Sequence, residues 1–189
     1  LNSPETVLFD KSRNLYGLNF ARSSRKNNII ICEGYMDVIS LHQSGFTNAV
    51  ASLGTAFTLQ HGILLKRYTE EVLLAFDSDE AGTKAALRAI PILRSAGLRI
   101  RIIRMAPYKD PDEFIKHLGV EAFQERLDQA ENSFMFEVGV LEKSYNLSDP
   151  DGKTRFFTAV AKRLLEFDQE LERHNYIEAV ARRYGIAFA

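Results

Sequence analysis

One cysteine is all the chain has, and that scarcity excludes an intramolecular disulfide and any multi-cysteine zinc cluster. Cys32 lies inside an apolar run and reads as a small buried strand residue, in keeping with a reducing cytoplasm. No apolar run approaches the ~18 residues that a membrane span needs, and no signal-peptide pattern opens the chain. Neither sign of charge dominates: 24 Lys and Arg stand against 25 Asp and Glu. Bulk charge therefore argues neither for nor against a nucleic-acid partner. Repeats and low-complexity tracts are also lacking. His42, His61, His117 and His174 show no metal-ligand spacing with one another or with Cys32, and read as structural or exposed. What is present is an ordinary globular balance, 46% hydrophobic over 189 residues, enough for one good core and a small second one. The chain opens at Leu1, inside what reads as a loop, so a piece of a longer protein is expected.

Residues 1–26 carry two apolar clusters, Leu8-Phe9 and Leu15 to Phe20, among Lys11, Arg13, Arg22, Arg25 and Lys26, and are expected to pack onto something as the tail of a preceding subdomain. From 27 to 107 strands alternate with helices. The strands are Ile29 to Cys32, Ala49 to Leu53, Val72 to Phe76 and Leu98 to Arg104. The first three are near-continuous apolar runs, as strands covered on both faces should be. Helices are expected over Met36 to Ser44, Leu59 to Tyr68 and Asp79 to Ala96, the first and last stopped by Gly45 and Gly97. Pro91 should kink or split the third. The alternation predicts an α/β domain with a parallel sheet. Residues 108–189 read as an all-helical subdomain: Pro111 to His117, Val120 to Asp128, Ser133 to Lys143, Asp149 to Phe167 and Leu171 to Tyr184, with a Phe-rich core.

Acidic residues recur just past strand ends. Glu33-Gly34 follows the first strand, Asp77-Ser78-Asp79 the third, and Asp110-Pro111-Asp112 the fourth. Ligands of open parallel sheets bind beyond the strands' carboxyl ends at the topological switch point. Glu33 and Asp77 can meet there only if the first and third strands are neighbours, which predicts strand order 2-1-3-4. Carboxylates so gathered repel one another unless a hard cation joins them, and Mg²⁺ is the natural one. Capping could account for Asp79 or Asp112 singly, and Asp37 reads first as a first-turn helix residue. Capping does not readily account for the set.

A Glu-Gly after one strand and an Asp-x-Asp two strands later resembles the Toprim domain. The surrounding motifs resemble the bacterial replicative primases of the DnaG type: Glu33-Gly34-Tyr35-Met36-Asp37, Ala51-Ser52-Leu53-Gly54-Thr55 and Phe76-Asp77-Ser78-Asp79-Glu80-Ala81-Gly82. Asn2-Ser3-Pro4-Glu5-Thr6, Lys11-Ser12-Arg13-Asn14-Leu15-Tyr16-Gly17-Leu18, Lys109-Asp110-Pro111-Asp112-Glu113 and Ser148-Asp149-Pro150-Asp151-Gly152-Lys153 extend the likeness over essentially the whole chain. The resemblance implies a fragment of a catalytic core that makes short RNA primers on single-stranded DNA by nucleotidyl transfer. It implies Glu33, Asp77 and Asp79 as catalytic metal ligands, Asp110 and Asp112 completing the metal site, and Asp37 supporting it. Lys11 and Arg13 would hold the incoming ribonucleoside triphosphate. Mg²⁺ is the implied cofactor, Mn²⁺ can substitute, and no zinc is expected in this piece.

The implied partners are the DNA template, ribonucleotides and the RNA primer, with the replicative helicase engaged through a domain outside this chain. A cytoplasmic monomer at the replication fork, with no membrane role, is expected. Ser78 stands where glycine is common in these primases. The zinc-binding domain and most of the basic template-gripping subdomain are not in the sequence, so weak DNA binding and poor priming are expected. Two alternatives stay open. One is a Toprim nuclease or topoisomerase subunit, although Tyr16 and Tyr35 are in the wrong context for a nucleophilic tyrosine. The other is a nucleotide-binding module without activity of its own. Arg99, Arg101 and Arg104 on the last strand read first as guards of an edge.

Overall fold

The computed structural model describes residues 5–7 and 9–186; Asn2, Ser3, Pro4 and Leu8 lie outside the described residues. Four strands form where the apolar runs predict them: β1 Asn28–Cys32, β2 Ala49–Ala51, β3 Glu71–Ala75 and β4 Arg99–Ile102. Their sheet order is 2-1-3-4, all three pairings parallel, with a two-residue β5, Glu131–Asn132, next to β4. β1 and β3 are therefore interior neighbours, and Ile31 and Cys32 of β1 lie level with Leu74 and Ala75 of β3. That register brings the residues following both strands to one end of the sheet.

Helix α1 Leu18–Ala21 precedes β1, the crossovers are α2 Tyr35–Gln43, α3 Leu59–Lys66 and α4 Glu80–Ser95, and α5 Pro111–Asp128 follows β4. One face of the sheet, Ile30, Cys32, Ala49, Ala51, Leu73 and Ala75, packs with Val38 and Leu41 of α2 and Phe114 and Phe123 of α5. Burial of each such aromatic contributes about 1.5–3 kcal/mol. α4 buries Ala86, Ala89, Ile90 and Leu93 and packs with α3 and β4. It runs on through Pro91 instead of splitting there. Pro91 faces solvent while its neighbours Ala89, Ile90 and Leu93 are anchored, so the lost hydrogen bond costs least where it falls. Helical geometry does break at Gly119 (φ 85°, ψ 179°), between the two predicted segments of α5, in a conformation that only glycine adopts without strain.

The N-terminal segment covers the open side of β2. Tyr16 and Ala51 exchange backbone hydrogen bonds of 2.9 and 3.1 Å, and Leu15 and Ala21 are buried. The opposite side is not the bare edge that the arginine guards suggested, since β5 flanks β4. Arg101 instead donates to the Ala130 carbonyl at 2.8 Å, and Arg104 pairs with Glu131.

The chain divides into two compact units, 1–131 and 132–189. Helix α5 falls with the sheet, because Phe114 and Phe123 belong to its core, whereas the sequence suggested a boundary at 107/108. The second unit comprises α6 Ser133–Glu142, α7 Pro150–Leu164 and α8 Glu170–Tyr184. Its core is built on Phe134, Val138, Phe156, Val160, Leu164, Phe167 and Val180. Asp149 caps α7 by accepting from the Gly152 N–H at 2.8 Å. No helix among the described residues is long and apolar enough to cross a membrane.

Candidate metal centre

The acidic residues gather beyond the carboxyl ends of β1, β3 and β4. Glu33 and Asp77 are joined directly: the Asp77 N–H donates to Glu33 Oε1 at 3.1 Å. Gly82, in the first turn of α4, makes this approach possible. A Cβ there would stand 2.1 Å from the Asp77 carbonyl oxygen and 2.8 Å from Glu33 Oε1. Asp79 caps the same helix, Oδ1 accepting from Gly82 N–H at 2.8 Å. Asp110 caps α5 likewise, accepting from Glu113 N–H at 2.8 Å. The Ser78 N–H donates to the Lys109 carbonyl at 2.8 Å, tying the loops after β3 and β4 together. Lys109 Nζ also lies 3.3 Å from Asp77 Oδ2.

These carboxylates feel one another. Burial pushes Glu33 up, and the charges of Asp77 and Asp79 add to the shift. Asp77 is raised by burial too, in spite of the opposing pull of Lys109. Asp37 is buried at the N-terminus of α2, one oxygen accepting from the Gly34 N–H at 3.3 Å. Burial, then the charges of Asp110, Asp77 and Asp112, push it up to about 6. Asp112 behaves oppositely: Lys116 and the Ser40 hydroxyl hold it below the usual carboxylate range.

No three His, Cys, Asp or Glu side chains among the described residues form a ready-made metal cage. The donor set nevertheless fits a hard cation. Mg²⁺ characteristically takes one or two carboxylates and fills its remaining positions with waters and substrate phosphates. Glu33 and Asp77 offer such a pair, Asp79 and Asp110 add their charge to it against the single lysine Lys109, and Asp112 turns instead to Lys116 and Ser40. Asp79 and Asp110 each accept from a helix N-terminus, and Asp77 and Asp112 face Lys109 and Lys116.

Lys11 and Arg13 lie on a 3-10 turn, Lys11–Arg13, that follows the cap residue Asp10. The Arg13 Nε is 3.2 Å from Asp10 Oδ2, while the Lys11 ammonium has no partner among the described residues. A cavity of about 670 Å³ opens beside Glu33, with Ser52, Thr55, Phe57, Phe76 and Arg88 in its wall. All four histidines are structural or exposed. His42 bonds to the Ala49 carbonyl, His61 is buried, and His117 and His174 lie on exposed helix faces. Cys32 is a buried free thiol, pushed well up by burial. Sequence reasoning missed Lys109 and Gly82 as members of the site. Lys109 directly precedes Asp110, and Gly82 stands three residues after the capping Asp79, a spacing that signals a close backbone approach.

This is a Toprim-type α/β sheet with its acidic end intact. Residues 30–115 match the family described as Toprim-like, and residues 134–188 match the DnaB-helicase binding domain of primase. The chain is 43% identical over 187 residues to the DNA primase of Clostridium acetobutylicum, covering 98% of this chain and 31% of that one. Against the Legionella pneumophila DNA primase the identity is 47% over 166 residues, covering 85% and 29%. The Escherichia coli primase catalytic core superposes with a TM-score of 0.83 at 37% identity, covering all of this chain and 62% of that structure. A DnaG primase catalytic domain bound to single-stranded DNA superposes equally well, at 36% identity, covering 96% and 60%.

The chain is similar in sequence and fold to the bacterial DnaG-type DNA primases. It spans about a third of the length of the curated relatives it matches. These matches favour primase over the nuclease and topoisomerase alternatives. One expectation is corrected: a helicase-binding family assignment falls on 134–188, inside the chain, where the sequence reading looked for that contact outside it.

Proposed function

We propose that this chain carries the metal-dependent nucleotidyl-transfer centre of a DNA primase, a DNA-directed RNA polymerase that makes short RNA primers on single-stranded DNA for replication. The observation that carries this reading is the junction of Glu33 and Asp77 at the ends of adjacent parallel strands. In this reading the metal-binding domain expected over 27–107 takes in α5 as well, a tail over 1–26 precedes it, and the helical subdomain expected over 108–189 is the unit from 132 onward.

Glu33, Asp77 and Asp79 hold the cation, Asp110 and Asp112 complete the acidic rim, and Asp37 braces it from behind. When bound, Mg²⁺, for which Mn²⁺ can substitute, polarises a phosphoryl oxygen and offsets the charge of the leaving pyrophosphate. Lys11 and Arg13 hold the triphosphate of the incoming ribonucleotide. The 3′-hydroxyl of the primer attacks the α-phosphate and gives up its proton to solvent, and the bond to pyrophosphate breaks as the new ester forms. Lys109, beside Asp77, opposes the upward push of burial on that carboxylate.

The DNA template and the RNA primer are the macromolecular partners, and residues 134–188 offer a surface to the replicative helicase. The setting is a cytoplasmic monomer at the replication fork. The test is ribonucleotide incorporation on single-stranded DNA by a full-length primase containing this chain, with Glu33→Gln and Asp77→Asn introduced separately. Each should lower incorporation by about 100-fold or more. Wild-type rates in both variants, or priming that needs no divalent cation, would sink the reading.

A further inference from the structure

The N-terminus of α3 makes contacts that a helix cap does not need. Thr58 and His61 form a reciprocal cap: Thr58 Oγ1 accepts from His61 N–H and His61 Nδ1 accepts from Thr58 N–H, both at 3.2 Å. Glutamate or glutamine would serve the helix there without burying an imidazole. His61 is nevertheless fully buried, and burial pulls its pKa down. Because Nδ1 is an acceptor, the proton of the neutral ring sits on Nε2. That N–H points out of the helix and meets the Lys11 carbonyl at 2.8 Å and the Asn14 carbonyl at 3.2 Å. The Thr58 hydroxyl donates in turn to the Ser12 carbonyl at 2.7 Å. The carbonyls of residues 11, 12 and 14 are thus held by two side chains more than 40 residues away in sequence. Asp10 fixes the same turn from its other side through the Ser12 N–H and hydroxyl, at 2.8 and 2.6 Å. Apart from the Ser12 hydroxyl, these contacts fall on the backbone of the turn, and the Lys11 ammonium is left without a partner among the described residues. Phe57, which immediately precedes Thr58 and packs edge-on against His61, lines the cavity that Glu33 also lines.

We propose that Thr58 and His61 are positioning residues that clamp the Lys11–Arg13 turn in place for nucleotide binding, coupling the β2–α3 loop at the cavity beside Glu33 to the cations that hold the triphosphate. This inference rests on the nucleotide role proposed above for Lys11. His61→Phe keeps a ring of similar size but removes donor and acceptor, and His61→Gln restores a donor toward the Lys11 carbonyl. ATP binding in the presence of Mg²⁺ is measured calorimetrically for both, for Lys11→Ala and for the Lys11→Ala/His61→Phe double variant, with thermal melting to establish folding. Amide hydrogen exchange at Ser12, Arg13 and Asn14 reports on the clamp without any ligand.

The expected result is about fivefold weaker ATP binding in His61→Phe, the size of one lost hydrogen bond, with faster exchange at residues 12–14 and an unchanged Mg²⁺-induced melting shift. His61→Gln should recover most of the affinity, and the double variant should bind no more weakly than the weaker single one. Wild-type affinity and exchange in His61→Phe would overturn the proposal, as would a loss that adds in full to that of Lys11→Ala. Wild-type affinity in Lys11→Ala would instead remove the nucleotide role itself, and with it the purpose of the clamp, whatever the exchange data show. If His61→Phe fails to fold, Thr58→Val against Thr58→Ser carries the same comparison through the Ser12 carbonyl.

Discussion

Asp37 is the carboxylate whose charge this fold tolerates least. Its folded value of about 6 lies above the ordinary 3.8, so the native chain binds an extra proton between the two. Stability from this group is fully present below the lower value and is lost as pH rises through the upper one. Asp37→Asn should therefore stabilise the cation-free chain by about 1 kcal/mol at neutral pH, allowing for partial solvent screening. Melting followed across the acid range should show the gain vanish below about pH 4. A variant less stable than wild type at neutral pH would contradict the repulsion. Gly82 offers a steric counterpart. Gly82→Ala should cost about 2–3 kcal/mol, because its methyl group must displace the Asp77 carbonyl and Glu33 together. Denaturant titration measures that cost, and a change below about 0.5 kcal/mol would mean that the loop after β3 yields freely.

Among the elements, α5 ties chemistry to packing. Asp110 and Asp112 open it, and Phe114 and Phe123 fasten it beneath the sheet. Phe114→Ala should destabilise the first unit by about 3–5 kcal/mol and weaken Mg²⁺ binding, although the Phe114 side chain is buried in the core beneath the sheet. Urea melts with and without Mg²⁺ would separate the two effects. Much of this level was legible in the sequence, because helix limits are local events. Asp149-Pro150 and Gly185 start and stop helices within a few residues, and the unbroken apolar runs of β1 and β3 announce burial on both faces. β5 was missed, since two residues carry no period. The allegiance of α5 was missed because an amphipathic helix does not say which core it will face. The unsplit α4 shows packing overriding a local signal at Pro91.

At the scale of the whole molecule, two compact units with separate cores should respond differently to the cation. Mg²⁺ added at about 100 times its dissociation constant should stabilise the 1–131 unit by about 2.7 kcal/mol and leave the 132–189 unit unmoved. Calorimetry should resolve this as one shifting and one stationary transition, and Glu33→Gln with Asp77→Asn should abolish the shift. A uniform shift of both, or one that persists in the double variant, would contradict it.

The sequence by itself determined the alternation of strands and helices, the order 2-1-3-4 and the three acidic stations, Glu33, Asp77-Ser78-Asp79 and Asp110-Pro111-Asp112. Periodicity and capping act within a turn or two, and a switch-point argument needs only the place of each acid along the chain. Tertiary structure alone decided how the carboxylates are partnered, which lysine reaches Asp77, and that His61 directs its buried N–H to the backbone around Lys11. Those contacts join residues tens of positions apart, and only strand order, register and burial together bring them within bonding distance.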